Sequence, residues 1–363
     1  MFYTVQEIAD ALGAEAYGDV NIELEAVAEP ANATEQHLAL AMKPEYAEGL
    51  STGEAKAALL WDGADWQSFG LKAAIVATRP RASMAGLTRV FDPGQGWEPG
   101  IHPSAVVHET AQLGQNVTVG PNAVICAGAT VGDGTTVGPL AFVGTDTVIG
   151  KDGFLREGAR IGARVVIGDR FIAQPNAAIG GDGFSYVTPE LSDIEQVRGT
   201  LTSDVDSKNQ KYMRIHSLGS VRIGDDVEFG ANSAIDRGTV RDSAVGNGSK
   251  IDNLVQIGHN CVIGENCLLC GCVGVAGSVT VGNNVVLGGQ TGVTDNIYIG
   301  DNVITGGGTK IMGNIPKGKV LMGYPPIKMA DYGDHYKNIR RLSRLYADVA
   351  ELKKRVPKPN ESD

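Results

Sequence analysis

The sequence predicts a mainly β chain whose body is a coil of short parallel strands, preceded by a small α/β domain and followed by a helix. Three observations carry this reading. An aliphatic residue recurs every six positions, glycine is about twice as frequent as usual while aromatics are scarce (49 Gly in 363 residues, 6% aromatic), and both terminal stretches lack the six-residue period.

The period is dense. From Ile101 to Ile179, thirteen of fourteen residues taken six apart are Ile, Val or Leu, and from Val245 to Ile311 eleven of twelve are aliphatic. Six matches neither the 3.6-residue period of an amphipathic helix nor the alternation of a plain strand. It matches short strands joined by tight corners, each sending one aliphatic side chain into a central column. Three hexads close a triangular coil, so residues eighteen apart should stack. About ten coils, roughly 4.8 Å apart, give a prism ~50 Å long. Glycine often follows the aliphatic residue, as at Gly120, Gly150, Gly162 and Gly264, and is expected to relieve unusual dihedrals at the corners.

The phase breaks twice. Ile179 to Ile223 is 44 residues, so residues near 185–219 should leave the prism; Ile235 to Val245 is ten, which marks a smaller bulge near Arg241. Long excursions from a regular solenoid often carry function, although inert insertions look the same in sequence.

Before the repeat, Thr4-x-x-Glu7 is a capping box, and Val5, Ile8, Ala9 and Leu12 follow at helical spacing until Gly13. Ala57–Trp61 and Ala73–Ala77 read as strands and Arg81–Val90 as a second helix. The resulting division is an α/β domain over 1–98, a prism over 99–322, and a C-terminal extension over 323–363. The extension begins at Gly323-Tyr324-Pro325-Pro326. In it Leu342, Leu345, Val349, Leu352 and Val356 follow the 3-4 spacing of a short coiled coil. That stripe could also pack back on the prism. Residues 328–358 hold nine Lys/Arg against four Asp/Glu, a basic segment in a chain of net charge −11.

The acidic balance argues against nucleic-acid binding through a basic surface. No apolar run is long enough to span a membrane, and the amino terminus lacks the basic start and apolar core of a signal peptide. Five cysteines suit reduced thiols in a cytoplasmic protein. Cys261, Cys267, Cys270 and Cys272 do not follow the spacing of a zinc finger and are read as buried thiols; no metal is expected.

Of six histidines only His259 lies within the second repeat block, and Asp252 and Asn253 hold nearby places one hexad earlier. An imidazole beside a carboxylate is the equipment of a general base; an idle surface histidine would read the same. Asp236-Arg237-Gly238, ahead of the bulge, could bind an anion or pair internally to seal the irregularity. In Gly180-Gly181-Asp182-Gly183-Phe184-Ser185-Tyr186 the aromatics could face an acyl chain or a sugar, or simply pack a turn.

Taken in order along the chain, the N-terminal domain, the Gly-Gly-Asp-Gly-Phe-x-Tyr insert, Asp236-Arg237-Gly238, and Ile251-Asp252-Asn253 leading to Ile257-Gly258-His259-Asn260 resemble the UDP-3-O-acylglucosamine N-acyltransferases of early lipid A biosynthesis in Gram-negative bacteria. The resemblance implies a left-handed parallel β-helix, a homotrimer with active sites between neighbouring subunits, and transfer of an (R)-3-hydroxyacyl group to the 2-amine of UDP-3-O-acyl-glucosamine. The acyl group would arrive on the phosphopantetheine arm of acyl carrier protein, with no other cofactor. His259 matches the catalytic base, with Asp252 as its orienter and the Gly277 N–H as a candidate donor to the oxyanion. Asn253, Gln256, Asn260, Phe184 and Tyr186 match the substrate side of the site. Tyr46, in Lys43-Pro44-Glu45-Tyr46, matches an aromatic that stacks on uracil. Two positions depart from the family: Leu40 stands where a second aromatic is common, and Thr294-Asp295-Asn296 where many members have a second histidine, which makes Asn296 a substitute hydrogen-bonding group. Arg340, Arg341 and Arg344 are the expected contacts to the acidic carrier protein. The rival readings are another hexapeptide acyltransferase acting on a nucleotide sugar and a β-helix that serves only as a stiff rod.

Overall fold

The computed structural model describes residues 2–192, 195, 211–323 and 328–355. It divides into two compact units, Met1–Trp97 and Glu98–Asp363.

In the first unit, helix α1 (Val5–Leu12) starts at the predicted capping box: Thr4 Oγ1 accepts the Glu7 N–H, and the Glu7 carboxylate accepts the Thr4 N–H. Gly13, at φ 59°, ends it in the left-handed conformation. A five-stranded sheet runs in the order Glu15–Gly18, Ala73–Ala77, Ala57–Trp61, His37–Ala41, Ala26–Ala28, and all but the first strand are parallel. Alternation sorts its side chains. Leu38, Leu59 and Ile75 meet α1 and helix α2 (Pro80–Val90), while Ala39, Ala41, Ala58 and Leu60 meet the short 3-10 helix Pro44–Ser51 and its neighbours on the opposite side.

The second unit is the left-handed β-helix. Its three faces are parallel sheets of ten, ten and nine strands, most of them two residues long. Thr118 stands on Thr136 and Val119 on Val137, the eighteen-residue stacking that the period predicts. Inward aliphatics from Val119 to Ile311 form one continuous core, centred on the Phe171–Phe229 ring pair (centroids 6.2 Å apart).

Both phase breaks appear as jumps in register. Ile167 stands on Ile223, 56 residues later, and Ile235 on Ile257, 22 later. The described part of the first excursion folds as a two-stranded antiparallel ribbon, Tyr186–Val187 with Met213–Arg214. Residues 193, 194 and 196–210 of that predicted loop lie outside the described residues, as do Tyr324-Pro325-Pro326 and Val356.

The role expected of the repeat glycines is corrected. Gly120, Gly150, Gly162 and Gly264 do not hold positive φ; the left-handed corner falls two residues later, at Asn122, Asp152, Arg164 and Asn266. These glycines are needed because the next coil presses on them. A Cβ on Gly264 would stand 2.4 Å from the Gly282 carbonyl oxygen, and one on Gly120 would stand 2.7 Å from Pro139 N.

Helix α3 (Met329–Arg355) has no buried residue, so the stripe of Leu342, Leu345, Val349 and Leu352 is not packed back on the prism. No helix among the described residues is long and apolar enough to cross a membrane.

Candidate active site

His259 follows the strand Gln256–Ile257 and turns the corner between two faces of the prism. The corner is the ordinary six-residue one, with Asn260 in the left-handed conformation at φ 60°. Two glycines make room for the ring. A Cβ on Gly183 would come within 2.7 Å of His259 Cβ, and one on Gly277 within 2.8 Å of Nε2 and Cε1. The half-buried imidazole therefore lies between the glycine-rich start of the first excursion and the corner of the next coil.

It opens on a cavity of about 810 Å³ lined by Phe184, Tyr186, Gln256, Gly277, Asn296 and the carboxylates Asp182, Asp236 and Asp295. Arg214, from the returning strand of the excursion, closes one side. It donates to Asp182 at 3.0 Å and to the Tyr186 hydroxyl at 3.3 Å. Phe184 and Tyr186 pack edge to face with centroids 5.0 Å apart, and Phe184 is 84% exposed, an apolar surface at the mouth. Burial holds the Asp236 carboxyl above the usual carboxylate range, opposed by a hydrogen bond from Gln256 and by His259 nearby. The Gly277 N–H makes no hydrogen bond among the described residues and is free to serve a ligand oxygen.

Asp252 and Asn253 are not in this cavity. They occupy the preceding corner, on a second cavity of about 590 Å³ shared with Gln174, Glu228, Lys250 and Cys270. One hexad of separation is one corner of the triangle, so within one chain they point past a different edge from His259. Asp252 Oδ1 accepts the Asn253 N–H at 2.7 Å, and Asn253 Oδ1 accepts the Ala231 N–H at 2.6 Å. The expected His259–Asp252 pairing is therefore not made within the chain; the partner of His259 Nδ1 is Asn260 Oδ1, at 2.8 Å.

Arg237 settles the choice left open for its cluster. It is buried and donates to the carbonyls of Gly180 (3.0 Å) and Ala163 (3.2 Å), so it seals the phase break and does not pair with Asp236. Gly238 is obligatory there, because a Cβ would overlap the Arg241 carbonyl. The cysteine reading holds for two of four. Cys261 and Cys267 are buried and donate to carbonyls of the next coil, with burial pushing Cys261 up to about 11, whereas Cys270 is half-buried and Cys272 exposed. No three His, Cys, Asp or Glu side chains among the described residues are grouped to hold a metal ion.

In the first unit, Tyr46 is 47% exposed on its 3-10 helix, with the Lys43 ammonium 5.9 Å from its ring centroid. Leu40 is partly buried with Leu38 in the α1–α2 core and so is on the other side of the sheet from that helix. Sequence reasoning missed Arg214 and Asp295 and gave Asp236 no place beside His259. Arg214 carries no local signal, since only the antiparallel ribbon returns it to the cavity.

Known proteins agree with this architecture. A bacterial transferase hexapeptide model of six repeats matches residues 242–277, and a hexapeptide repeat model of succinyl-transferase matches 111–138 and 220–253. The chain is 59% identical to a UDP-3-O-acylglucosamine N-acyltransferase of Ruegeria pomeroyi over all of both chains. It is 56% identical to that of Paracoccus denitrificans over 99% of this chain and 98% of the other. Among solved structures, a UDP-N-acetylglucosamine acyltransferase of Arabidopsis shares the fold at 22% identity and a TM-score of 0.50, with 72% of this chain and 86% of that one covered.

Proposed function

This chain belongs to the UDP-3-O-acylglucosamine N-acyltransferase family, and on that footing we propose that it moves a 3-hydroxyacyl group from acyl carrier protein to the 2-amine of UDP-3-O-acyl-glucosamine in the cytoplasm. The observation that carries the chemistry is His259 at the wall of a roomy cavity with Nδ1 already engaged, which leaves Nε2 for a proton.

The amine nitrogen attacks the thioester carbonyl. As the C–N bond forms, His259 Nε2 takes the amine proton. The Gly277 N–H receives the oxyanion. The C–S bond then breaks, and the sulfur leaves on the carrier's arm as a thiol, regaining the proton from the imidazolium. Phe184 and Tyr186 supply apolar surface for acyl carbon, and Gln256 and Asn296 hydrogen-bond the sugar. Tyr46, with Lys43 beside it and Leu40 behind it in the core, stacks on the uracil.

Asp252 and Asn253 join the reaction if the protein is a homotrimer, where the corner that carries them on one copy faces the His259 cavity of the next. Two features support assembly: these polar groups stand on a cavity that no histidine lines, and α3 leaves its apolar stripe uncovered. The basic face of α3, with Arg340, Arg341 and Arg344, suits an acidic carrier protein.

The product tests the reading. Incubation with 3-hydroxyacyl–acyl carrier protein and UDP-3-O-acyl-glucosamine should add one acyl group that survives mild alkali, as an amide does, while the pre-existing ester is cleaved. A new acyl group lost to alkali would mean O-transfer, and acylation from acetyl-CoA alone would mean a different donor class.

A further inference from the structure

We propose that Asn260 is a positioning residue for His259: with Thr239 it locks the ring in the Nδ1–H tautomer and so makes Nε2 the basic atom. The proposal rests on the general-base reading of His259 and names what makes that base usable.

One backbone group fixes the assignment. The Thr239 N–H can only donate, and it meets a side-chain atom of Asn260 at 3.2 Å, so that atom is the oxygen. The same oxygen accepts the Thr239 hydroxyl at 3.0 Å and lies 2.8 Å from His259 Nδ1. An amide oxygen offers no proton, so Nδ1 must carry one. The free histidine side chain prefers the opposite tautomer, with hydrogen on Nε2; the tautomer here is imposed by the protein. Nε2, the atom left with its lone pair, is the one against Gly277 at the cavity wall.

The corner by itself does not require this side chain. Equivalent left-handed corners are occupied by Asn122, Asn176 and Asn266 and equally by Gly128, Gly134 and Gly248. What sets Asn260 apart is its connection to the four-residue phase break. Register lengthens from 18 to 22 residues across that bulge, and the extra chain brings Thr239 to the Asn260 side chain and Arg241 Nη2 to its carbonyl oxygen at 2.9 Å. The second irregularity of the prism thus clamps the residue that orients the base. A neutral amide orients the ring without the charge stabilisation that a carboxylate gives an imidazolium.

The test compares Asn260→Gly, Asn260→Asp, Thr239→Val and Thr239→Ser in the full-length protein. Asn260→Gly keeps a residue suited to the left-handed corner and deletes only the acceptor. It should lower kcat about 10- to 100-fold, the scale on which small misplacements act, with KM for both substrates within about threefold. Thr239→Val should lower kcat less, and Thr239→Ser should restore it. Ring nitrogen chemical shifts of ¹⁵N-histidine-labelled protein, with His259 assigned by its loss in His259→Gln, should show hydrogen on Nδ1 in the wild type and redistribution toward Nε2 in Asn260→Gly. Asn260→Asp, which gives Nδ1 a charged acceptor in place of the amide oxygen, should keep hydrogen on Nδ1 and retain more activity than Asn260→Gly. Asp182, Asp236, Asp295 and Arg214 around the cavity, and Arg241 on the Asn260 carbonyl, are unchanged in every variant. If Asn260→Gly does not fold, the Asp, Val and Ser variants carry the same test. An unchanged tautomer with unchanged kcat overturns the proposal, and so does a rise in the sugar KM alone, which would make Asn260 a substrate contact. The nitrogen shifts need no substrate, so they distinguish failure of this proposal from failure of the functional reading.

Discussion

At the scale of single residues, His259 owes its place to what its neighbours lack. Gly277 has no side chain, and a methyl there would press on Nε2 and Cε1 at 2.8 Å. Gly277→Ala should therefore lower kcat about 100-fold or more while KM for the carrier protein changes little, as steady-state kinetics would show. Asp236 allows a prediction about pH. Burial raises its folded-state pKa, so keeping it charged at neutral pH works against the fold, and the cost disappears as pH falls below its unfolded value of about 4. Asp236→Asn should thus melt no lower than wild type at pH 7, with any excess stability shrinking toward pH 4 in a series of thermal melts. His259 was legible in the sequence because a lone histidine in a regular repeat stands out. Its true partner was not, because the expected orienter, Asp252, is close in sequence but one triangle corner away in space. Asn260, next in the chain, reads as part of the substrate side of the site, and nothing in the sequence ties it to the ring.

Among elements, the hexad repeat could be read almost coil by coil, because a period of six admits one inward residue per strand. The same regularity misled on glycine. A sequence shows that glycine recurs, but only the stacked coils show that it answers the backbone above it and not its own dihedral. Gly132→Ala tests this, since its Cβ would meet Gly150 at 2.5 Å. We expect a loss of about 1–3 kcal/mol of stability by denaturant unfolding, the usual range for overpacking. Gly313→Ala, with nothing within 4 Å of the added atom, should be near neutral. In the first unit the capping box, both helices and the strands at 57–61 and 73–77 were evident from local pattern. The strand His37–Ala41 was not, because its alternation of Leu with Ala shows no contrast between polar and apolar faces.

For the whole molecule, the question is what covers the surfaces that a single chain leaves open. The acidic chain carries a basic, uncovered terminal helix, and its polar corner at Asp252 and Asn253 stands apart from His259. Both features fit an assembly that receives an acidic partner. Reversing the charges at Arg340, Arg341 and Arg344 should raise KM for acyl carrier protein severalfold and that for the sugar nucleotide much less; equal effects on both would contradict the assignment. Light scattering should give a mass three times that of the 38.0 kDa chain. Sequence could place the basic segment but not say whether it packs on the prism, because a 3-4 stripe suits either outcome.

The most direct measurement is thiol release from 3-hydroxyacyl–acyl carrier protein, with and without UDP-3-O-acyl-glucosamine, for wild type and His259→Ala. Release that requires the sugar and falls at least about a hundredfold in the variant is the predicted result. Sugar-dependent release that is indifferent to His259 would contradict the role given to the imidazole.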